Sequence, residues 1–235
     1  SRFPRIAIAS RVFSAPAFLP TVGMLGRMSF SSAERTKMVA LFHELGPDAP
    51  TLCEGWTARD LVAHLWIREN RPDAAIGFFV PALSSHADSV MTEVRAREFE
   101  ELVDAWGRGA GRLNPARYID SILNTAEHFV HHEDLRRANG HTEPRDFSEA
   151  VQKELLTPLK VLGLRLLANS RLPIVLEPAG FAPLVVADKH RVAAKGDNVV
   201  RVRGAVSELL LWAFGREAAH VEIDGDSSAV AWSSL

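Results

Sequence analysis

The chain has 235 residues, of which 47% are hydrophobic and 24% charged, and its formal net charge is −2. This balance is typical of a globular protein with a substantial core. The small net charge gives no electrostatic reason to expect binding to nucleic acid or to a membrane surface. No apolar run approaches the roughly 18–20 residues that cross a bilayer. The single cysteine, Cys53, excludes an intramolecular disulfide and any multi-cysteine zinc site, and it fits a cytoplasmic location.

The first 29 residues differ in composition from the rest of the chain. Arginines are spread among Ala, Ser, Pro and Phe, and no acidic residue precedes Glu34. This composition is typical of a transit or export segment, although Pro16 and Pro20 interrupt the best apolar stretch. We favour the interpretation that Met28 is the native start and that the residues before it are an upstream extension. We expect residues 1–29 to form an irregular N-terminal extension.

Two helices are predicted next. The pattern Ser31-x-x-Glu34 predicts a capping box at the start of the first helix, and Gly46 suits its end. The pattern Thr57-x-x-Asp60 predicts the start of the second helix, which runs to about residue 68.

Two further helices complete a predicted bundle. Residues 70–90 contain prolines and a glycine, and they predict a loop with short helical pieces that covers any site in the bundle. A third helix is expected over residues 90–107 and a fourth over residues 116–138. The cores of such bundles commonly hold metal sites built from facing helices.

The pattern changes in the last third of the chain. A leucine-rich helix over residues 148–169 is followed by short β-like runs separated by prolines and glycines. An apolar helix, Ala205–Phe214, and a last strand, His220–Ile223, follow. We therefore predict a helical bundle over residues 30–170 and a small α+β domain over residues 171–235.

Two polar residues interrupt the apolar face of the fourth helix. Residues four apart stack on a helix, and one such row contains Ile119, Leu123, Glu127, His131 and Leu135. A carboxylate and an imidazole that face a core are costly unless they have a partner. A divalent metal is one such partner, because Glu-x-x-x-His supplies two ligands from one helix. The alternatives are a buried Glu–His hydrogen bond and a helix rotated so that both residues lie at its boundary.

The neighbouring row is polar throughout and predicts a solvated face. It contains Ser121, Thr125, His128, His132 and Arg136. Because His128 and His132 are also four residues apart, they form a competing pair for a metal at the surface.

His64, on the apolar face of the second helix, is a candidate third ligand. If the second and fourth helices face each other, His64, Glu127 and His131 offer two nitrogens and one oxygen and leave coordination positions open, as catalytic zinc requires. The alternative is a histidine satisfied within the core. Cys53 is a possible nucleophile beside a histidine, but we expect it to pack as a small hydrophobic residue.

Two stretches of the sequence resemble a known family when they are taken together. They are Cys53-Glu-Gly-Trp-Thr-Ala-Arg-Asp-Leu-Val-Ala-His64-Leu and Glu127-His-Phe-Val-His131-His-Glu-Asp-Leu-Arg-Arg137. Both resemble the mycothiol-dependent maleylpyruvate isomerase family of actinobacteria, within the wider DinB-like metal-binding superfamily. The similarity extends over about residues 30–235, and it is closest to a metal-binding branch marked by Val-His-His-Glu-Asp-x-Arg-Arg.

The resemblance implies a mainly α fold, in which a DinB-like four-helix bundle precedes a small α+β domain. It also implies a divalent metal, usually zinc, held by His64, Glu127 and His131. Mycothiol is the expected cosubstrate, and its thiolate adds to an electrophile such as an unsaturated keto acid. Gly215-Arg216 resembles a Gly-Arg motif of the family, so Arg216 is expected to bind a substrate carboxylate or the polar body of the thiol. The alternative is that Arg216 only caps a helix end.

Three functional hypotheses follow. The first is a metal-dependent and thiol-dependent isomerase or S-transferase, whose partners are a small thiol and an electrophile. The second is a non-catalytic metal-binding module that recognises a small molecule or a protein. The third is a structural cluster of His64, Glu127 and His131. None of these hypotheses specifies an oligomeric state.

Overall fold

A computed structural model describes residues 29–78, 80–110, 121–188, 193 and 198–233. Nearly all of the predicted N-terminal extension and the start of the predicted fourth helix lie outside these ranges. The described helices are α1 (Phe30–Leu45), α2 (Ala58–Asn70), α3 (Pro72–Ala75), α4 (Ser84–Arg95), α5 (Phe99–Gly107), α6 (Ser121–Ala138), α7 (Glu149–Leu166) and α8 (Val206–Ala213). The described strands are β1 (Ile174–Pro178), β2 (Leu184–Val186), β3 (Val200–Gly204) and β4 (Glu222–Asp224). Across these ranges, we find no helix with the length and apolar character that a membrane span needs.

The first two helices begin at capping residues. The hydroxyl of Ser29 accepts a hydrogen bond from the third residue of α1 at 3.2 Å, so α1 begins earlier than predicted and Glu34 lies beyond the capping position. The predicted capping box at Glu34 is therefore wrong. The capping box of α2 is confirmed, because the Asp60 carboxylate accepts the backbone N–H of Thr57 at 2.8 Å.

The predicted third helix is two helices, α4 and α5, and the prediction of one helix over residues 90–107 is wrong. The chain breaks at Glu98, whose carboxylate accepts the backbone N–H of Glu100 at 3.3 Å and so caps a new helix. The inward-facing residues of this segment are buried as predicted: Phe99, Leu102, Val103 and Trp106.

Two apolar clusters form the core, and α6 contributes to both. The first cluster joins α1, α2, α4 and α5, and it includes Leu135 of α6. The second joins α6, α7, the sheet and α8, and it includes Phe129 and Val130. Because α6 lies between the two clusters, twelve of its residues are buried and its polar side chains face other elements.

The C-terminal part is a four-stranded sheet in the order β2-β1-β3-β4. β1 and β3 are parallel, whereas β2 and β4 pair antiparallel at the two edges. The inner residues Ile174 and Val202 have no exposed surface, and α7 and α8 pack against this core. The predicted order, a helical bundle followed by a small α+β part, is the order observed, and the domain boundary at residues 170/171 stays a prediction.

Candidate functional site

α2 and α6 bring three potential metal ligands together. Nε2 of His64 lies 3.8 Å from Oε2 of Glu127, and Nε2 of His131 lies 3.1 Å from the same oxygen. One ligand atom of each side chain falls within 4.8 Å of the other two. The side chains are at most 12% exposed. The structure therefore brings together the three residues that helix periodicity singled out.

The spacing of this group and the protonation of His64 fit a divalent cation. Ligand atoms held tetrahedrally at about 2.0–2.2 Å lie roughly 3.4 Å apart, and the two distances to Glu127 Oε2 fall on either side of this value. Burial lowers the pKa of His64 to about 4, because the charged ring loses its water. His64 is therefore neutral at pH 7, which is the form that binds metals.

Arg68 adds a positive charge beside Glu127. Its Nη1 lies 3.2 Å from Oε2 of Glu127, and its side chain is 8% exposed. Burial alone would raise the pKa of the Glu127 carboxyl, but the charge of Arg68, the hydrogen bond from His131 and the nearby His64 ring hold this pKa well below its usual range. Glu127 is therefore an anion, as a metal ligand must be.

A second carboxylate holds the other side of the His131 ring. Nδ1 of His131 donates to Oδ2 of Asp134 at 2.9 Å, and Asp134 is completely buried. A carboxylate in this position orients the ring so that Nε2 faces the candidate metal position. Burial lowers the pKa of His131, but Asp134, Cys53 and Glu127 together raise it well above its ordinary value. A proton must leave before Nε2 binds a cation, so we expect metal affinity to rise with pH.

Arg216 anchors Asp134. Its Nε and Nη2 donate to the two Asp134 oxygens at 2.8 and 2.7 Å, and its Nη1 donates to the carbonyl of Phe214 at 2.8 Å. Gly215, with a φ of 76°, turns the chain back after α8. The contact with Phe214 matches the capping role considered from the sequence, whereas the sequence did not predict the pair with Asp134. The expected catalytic role of Arg216, which is to bind a substrate carboxylate or the polar body of the thiol, stays a prediction.

A cavity of about 380 Å³ opens beside this group, within the size range of small-molecule sites. Its polar wall consists of Cys53, Glu54, His64, Arg68, Glu127, His131, Arg216 and Ser233, and its apolar wall of Trp56, Phe78, Val130, Leu166 and Phe214. Phe78 comes from the segment that was expected to cover a site, and its ring centroid lies 4.7 Å from that of His64.

Cys53 is not packed as a small hydrophobic residue, so that expectation is wrong. Its Sγ lies 3.3 Å from Asp134 Oδ2 and 3.9 Å from His131 Nδ1, and these three residues form a second group with metal-ligand spacing. Arg216 already binds both oxygens of Asp134 at hydrogen-bond distance, whereas Arg68 approaches one oxygen of Glu127 at 3.2 Å. The group at Glu127 is therefore more easily available to a cation than the group at Asp134.

The predicted solvated row of α6 is also wrong. His128 is 1% exposed and His132 is 4% exposed. His132 Nδ1 lies 2.8 Å from Glu34 of α1, and His128 Nε2 lies 3.2 Å from Glu69 of α2. The two histidines of this row therefore contact acidic side chains of neighbouring helices and not solvent. Because both histidines are buried, they do not form the surface metal site that was considered.

Sequence reasoning did not find two members of the site, Asp134 and Arg68. Each follows a candidate ligand by one helical turn, Asp134 at i+3 from His131 and Arg68 at i+4 from His64. Helical neighbours of this kind share a face, so a search for polar residues one turn from each candidate would have found both.

Known proteins share features with this chain at the level of sequence and of fold. Residues 31–130 match the family model described as the mycothiol maleylpyruvate isomerase N-terminal domain. The crystal structure of the mycothiol-dependent maleylpyruvate isomerase is similar with a TM-score of 0.55 and 16% identity, over 85% of this chain and 89% of that chain. The structure of a histidine-to-alanine mutant of the isomerase gives the same TM-score and coverage at 15% identity. No curated protein matches the chain significantly.

These similarities agree with the architecture and with the resemblance noted in the sequence. At such low identity the solved structures establish the fold alone, and they confirm the predicted fold class of a DinB-like helical bundle with a small α+β part. The family model covers His64 and Glu127 and ends one residue before His131. Over residues 31–130, the sequence is therefore similar to the family described as the mycothiol maleylpyruvate isomerase N-terminal domain.

Proposed function

We propose that this protein is a divalent-metal enzyme that uses a low-molecular-weight thiol, mycothiol, to isomerise or S-transfer a small electrophile. The observation that carries the proposal is the convergence of His64, Glu127 and His131 at the wall of a cavity. The family match and the fold shared with a mycothiol-dependent maleylpyruvate isomerase support the choice of chemistry.

In this proposal His64, Glu127 and His131 hold the cation, which we take to be zinc because two imidazoles and one carboxylate are typical zinc ligands. A cation bound there supplies positive charge that lowers the pKa of a coordinating thiol, so that the reactive thiolate forms at neutral pH. Asp134 orients His131, and Arg216 keeps Asp134 charged and in place.

The proposed isomerisation needs no other reagent. The thiolate sulfur adds to one carbon of the substrate double bond, and the π electrons move onto the conjugated carbonyl oxygen. The carbon–carbon bond, now single, rotates. The electrons then return, the carbon–sulfur bond breaks, and the double bond re-forms with the opposite geometry. The thiol is recovered unchanged, and the cytoplasm is the proposed location because the thiol must stay reduced.

Metal content tests the proposal first. We expect about one zinc or similar ion per chain in protein purified without chelator or histidine tag, and its loss in Glu127→Ala and His64→Ala. His132→Asn is the matched control, because His132 lies beside His131 on α6 but hydrogen-bonds Glu34 instead of facing the cavity. This control is expected to keep its metal. Elemental analysis gives the stoichiometry, and thermal unfolding shows whether each variant is folded.

Turnover distinguishes the three hypotheses. Metal together with mycothiol-dependent conversion of an unsaturated keto acid supports the enzyme. Metal without any thiol-dependent turnover would favour a metal-binding module that recognises a small molecule or a protein. Absence of metal from folded wild-type protein would reduce the three side chains to a structural cluster.

A further inference from the structure

Arg68 has an unusual position for a positive charge. It lies on α2 one turn after His64, and because residues four apart share a helix face, both side chains reach the same wall of the cavity. Its side chain is 8% exposed. A guanidinium removed from water to this degree needs an anion or several hydrogen-bond acceptors nearby.

Within the described residues, Glu127 is the carboxylate that accompanies Arg68. Nη1 of Arg68 lies 3.2 Å from Oε2 of Glu127. Nη1 is buried, and among the described residues it has no hydrogen-bond partner. The contact at 3.2 Å does not count as a hydrogen bond, since the N–H bonds of Nη1 do not point at that oxygen. The contact is therefore a charge pair of poor geometry, and Arg68 keeps hydrogen-bonding capacity at the cavity wall.

A metal on Glu127 changes the surroundings of Arg68. His64, His131 and Arg68 all approach the same oxygen, Oε2. If a dication occupies the position between the histidines and this oxygen, the charge of Glu127 is neutralised and Arg68 loses its partner. Asp134 does not replace it, since both Asp134 oxygens are bound by Arg216. The metal-loaded cavity then carries a net positive charge at its inner end.

We propose that Arg68 is the carboxylate-binding residue of this cavity, which recognises an acidic group on the electrophilic substrate when the metal is in place; this inference rests on the proposed function. A guanidinium presents parallel N–H groups that match a carboxylate in a bidentate pair, and a buried pair of this kind gives strong selection for anionic ligands. Trp56 and Phe78 on the apolar wall provide surface for the carbon chain of such a ligand.

Arg68 thus has two successive partners. Before the metal binds, it pairs with Glu127, and afterwards it pairs with the ligand. This exchange couples the two binding events, because the substrate anion restores the neutrality that the cation disturbs. Substrates that lack an acidic group would leave Arg68 unpaired and would bind poorly.

The test measures ligand binding without thiol and without turnover. Zinc-loaded wild type, Arg68→Met and Arg68→Lys are titrated with maleate and with its uncharged dimethyl ester by calorimetry. We expect Arg68→Met to weaken maleate binding by roughly tenfold or more and to leave the weak binding of the ester unchanged, whereas Arg68→Lys restores part of the affinity for maleate. Zinc content and thermal unfolding are measured for each protein.

Arg35→Met is the matched control, because Arg35 is another largely buried arginine, paired with Glu69 at 2.8 Å and outside the cavity. It should retain maleate affinity. Unchanged maleate affinity in zinc-loaded Arg68→Met would overturn the inference, and so would loss of zinc in that variant, which would make Arg68 a support for Glu127. Arg68-dependent maleate binding without thiol-dependent turnover would keep the inference and reject the proposed reaction. A wild type that holds no zinc rejects both.

Discussion

Glu127 contacts two histidines and an arginine through one carboxylate oxygen. A carboxylate buried between two apolar clusters would ordinarily bind a proton, because burial disfavours its charged form. The partners reverse this preference, and Glu127 stays charged. The same contacts explain why the residue interrupts an otherwise apolar row of α6.

Asp134→Asn tests whether the carboxylate that hydrogen-bonds His131 Nδ1 increases the metal affinity of the site. The amide accepts the His131 Nδ1–H more weakly than the carboxylate does, so His131 becomes a poorer ligand. We expect zinc affinity to fall by about 10–100-fold, measured by competition with a chromogenic chelator.

Glu133→Gln is the control for this change. Glu133 is the buried neighbour of Asp134, and it binds Arg137 and Arg145 away from the cavity. We expect this variant to lose stability but to keep its zinc affinity. Equal zinc affinity in Asp134→Asn and wild type would show that Asp134 only supports the fold.

Sequence reasoning at the scale of residues succeeded where a polar side chain broke an apolar row. Glu127 and His131 were visible for this reason, and the structure brings His64 beside them. Cys53 was misjudged because its neighbours, Asp134 and Arg216, come from segments that are 81 and 163 residues away. Contacts over such distances depend on tertiary packing, which local patterns do not contain.

α1 and α6 are joined by a polar contact that is completely enclosed. Glu34 of α1 has no exposed surface, and Arg145 binds it at 2.7 Å while His132 lies at 2.8 Å. Burial raises the pKa of Glu34, but the hydrogen bonds from His132 and Arg145 and the charge of Arg145 lower it to about 2. The folded protein therefore binds a proton at this site less readily than the unfolded chain does.

This difference predicts how stability depends on pH. Because the folded pKa of Glu34 lies below the unfolded value of 4.5, its stabilisation is complete above pH 4.5 and disappears as the pH falls towards 2. We expect Glu34→Gln to lower the free energy of unfolding by about 3 kcal/mol at pH 7 and to have little effect near pH 2. Urea unfolding at several pH values, followed by circular dichroism, measures the difference.

Glu44→Gln provides the comparison, since Glu44 lies on the same helix but is exposed. Because Glu44 is exposed, this variant should change the free energy of unfolding only slightly. A difference between Glu34→Gln and wild type that stays constant from pH 7 to pH 2 would contradict the assignment of this pKa.

At the scale of elements, the sequence predicted the start of α2 correctly and the surroundings of one polar face of α6 wrongly. The Thr57-x-x-Asp60 capping box lies within four residues and was identified correctly. The polar row with His128 and His132 was wrongly placed in solvent, because a polar row that meets acidic side chains has the same sequence pattern as one that meets water. The identity of the facing element decides between the two, and periodicity does not report it.

The two halves of the molecule are connected by a buried ion pair as well as by shared apolar packing. Arg137 of α6 binds both oxygens of Glu208 in α8, at 3.1 and 2.7 Å, and also binds Glu133 at 2.7 Å. All three residues are at most 5% exposed. Removal of the shared cation would leave Glu208 buried without its arginine partner, whereas Glu133 would keep Arg136 and Arg145.

Arg137→Met is therefore expected to lower the free energy of unfolding by about 3–5 kcal/mol, as the breaking of buried pairs generally does. The double variant Arg137→Met/Glu208→Met should recover a substantial part of this loss, because an apolar pair replaces the stranded charge. Denaturant unfolding of wild type, both single variants and the double variant gives the coupling energy. Additive losses would mean that the two residues stabilise the fold independently.

At the scale of the whole molecule, the sequence predicted the order of the helical and α+β parts but not the arrangement of the sheet. Turn residues mark where β1 and β3 begin and end, yet their parallel pairing joins Ile174 to Val200 across a long connection. α7 and α8 share the apolar cluster with these strands, and local sequence patterns do not show which strands such helices bring together.

The enclosure of α6 also limits how its sequence can change over evolution. An inserted or deleted residue rotates the rest of a helix by about 100°. A helix at the surface often tolerates this rotation, because many of its side chains contact only solvent. Here the turn would move His131 away from Glu127 and, in the same step, carry Arg137 away from Glu208. Relatives that keep this cavity should therefore differ in α6 by substitution alone, with insertions confined to segments outside this helix.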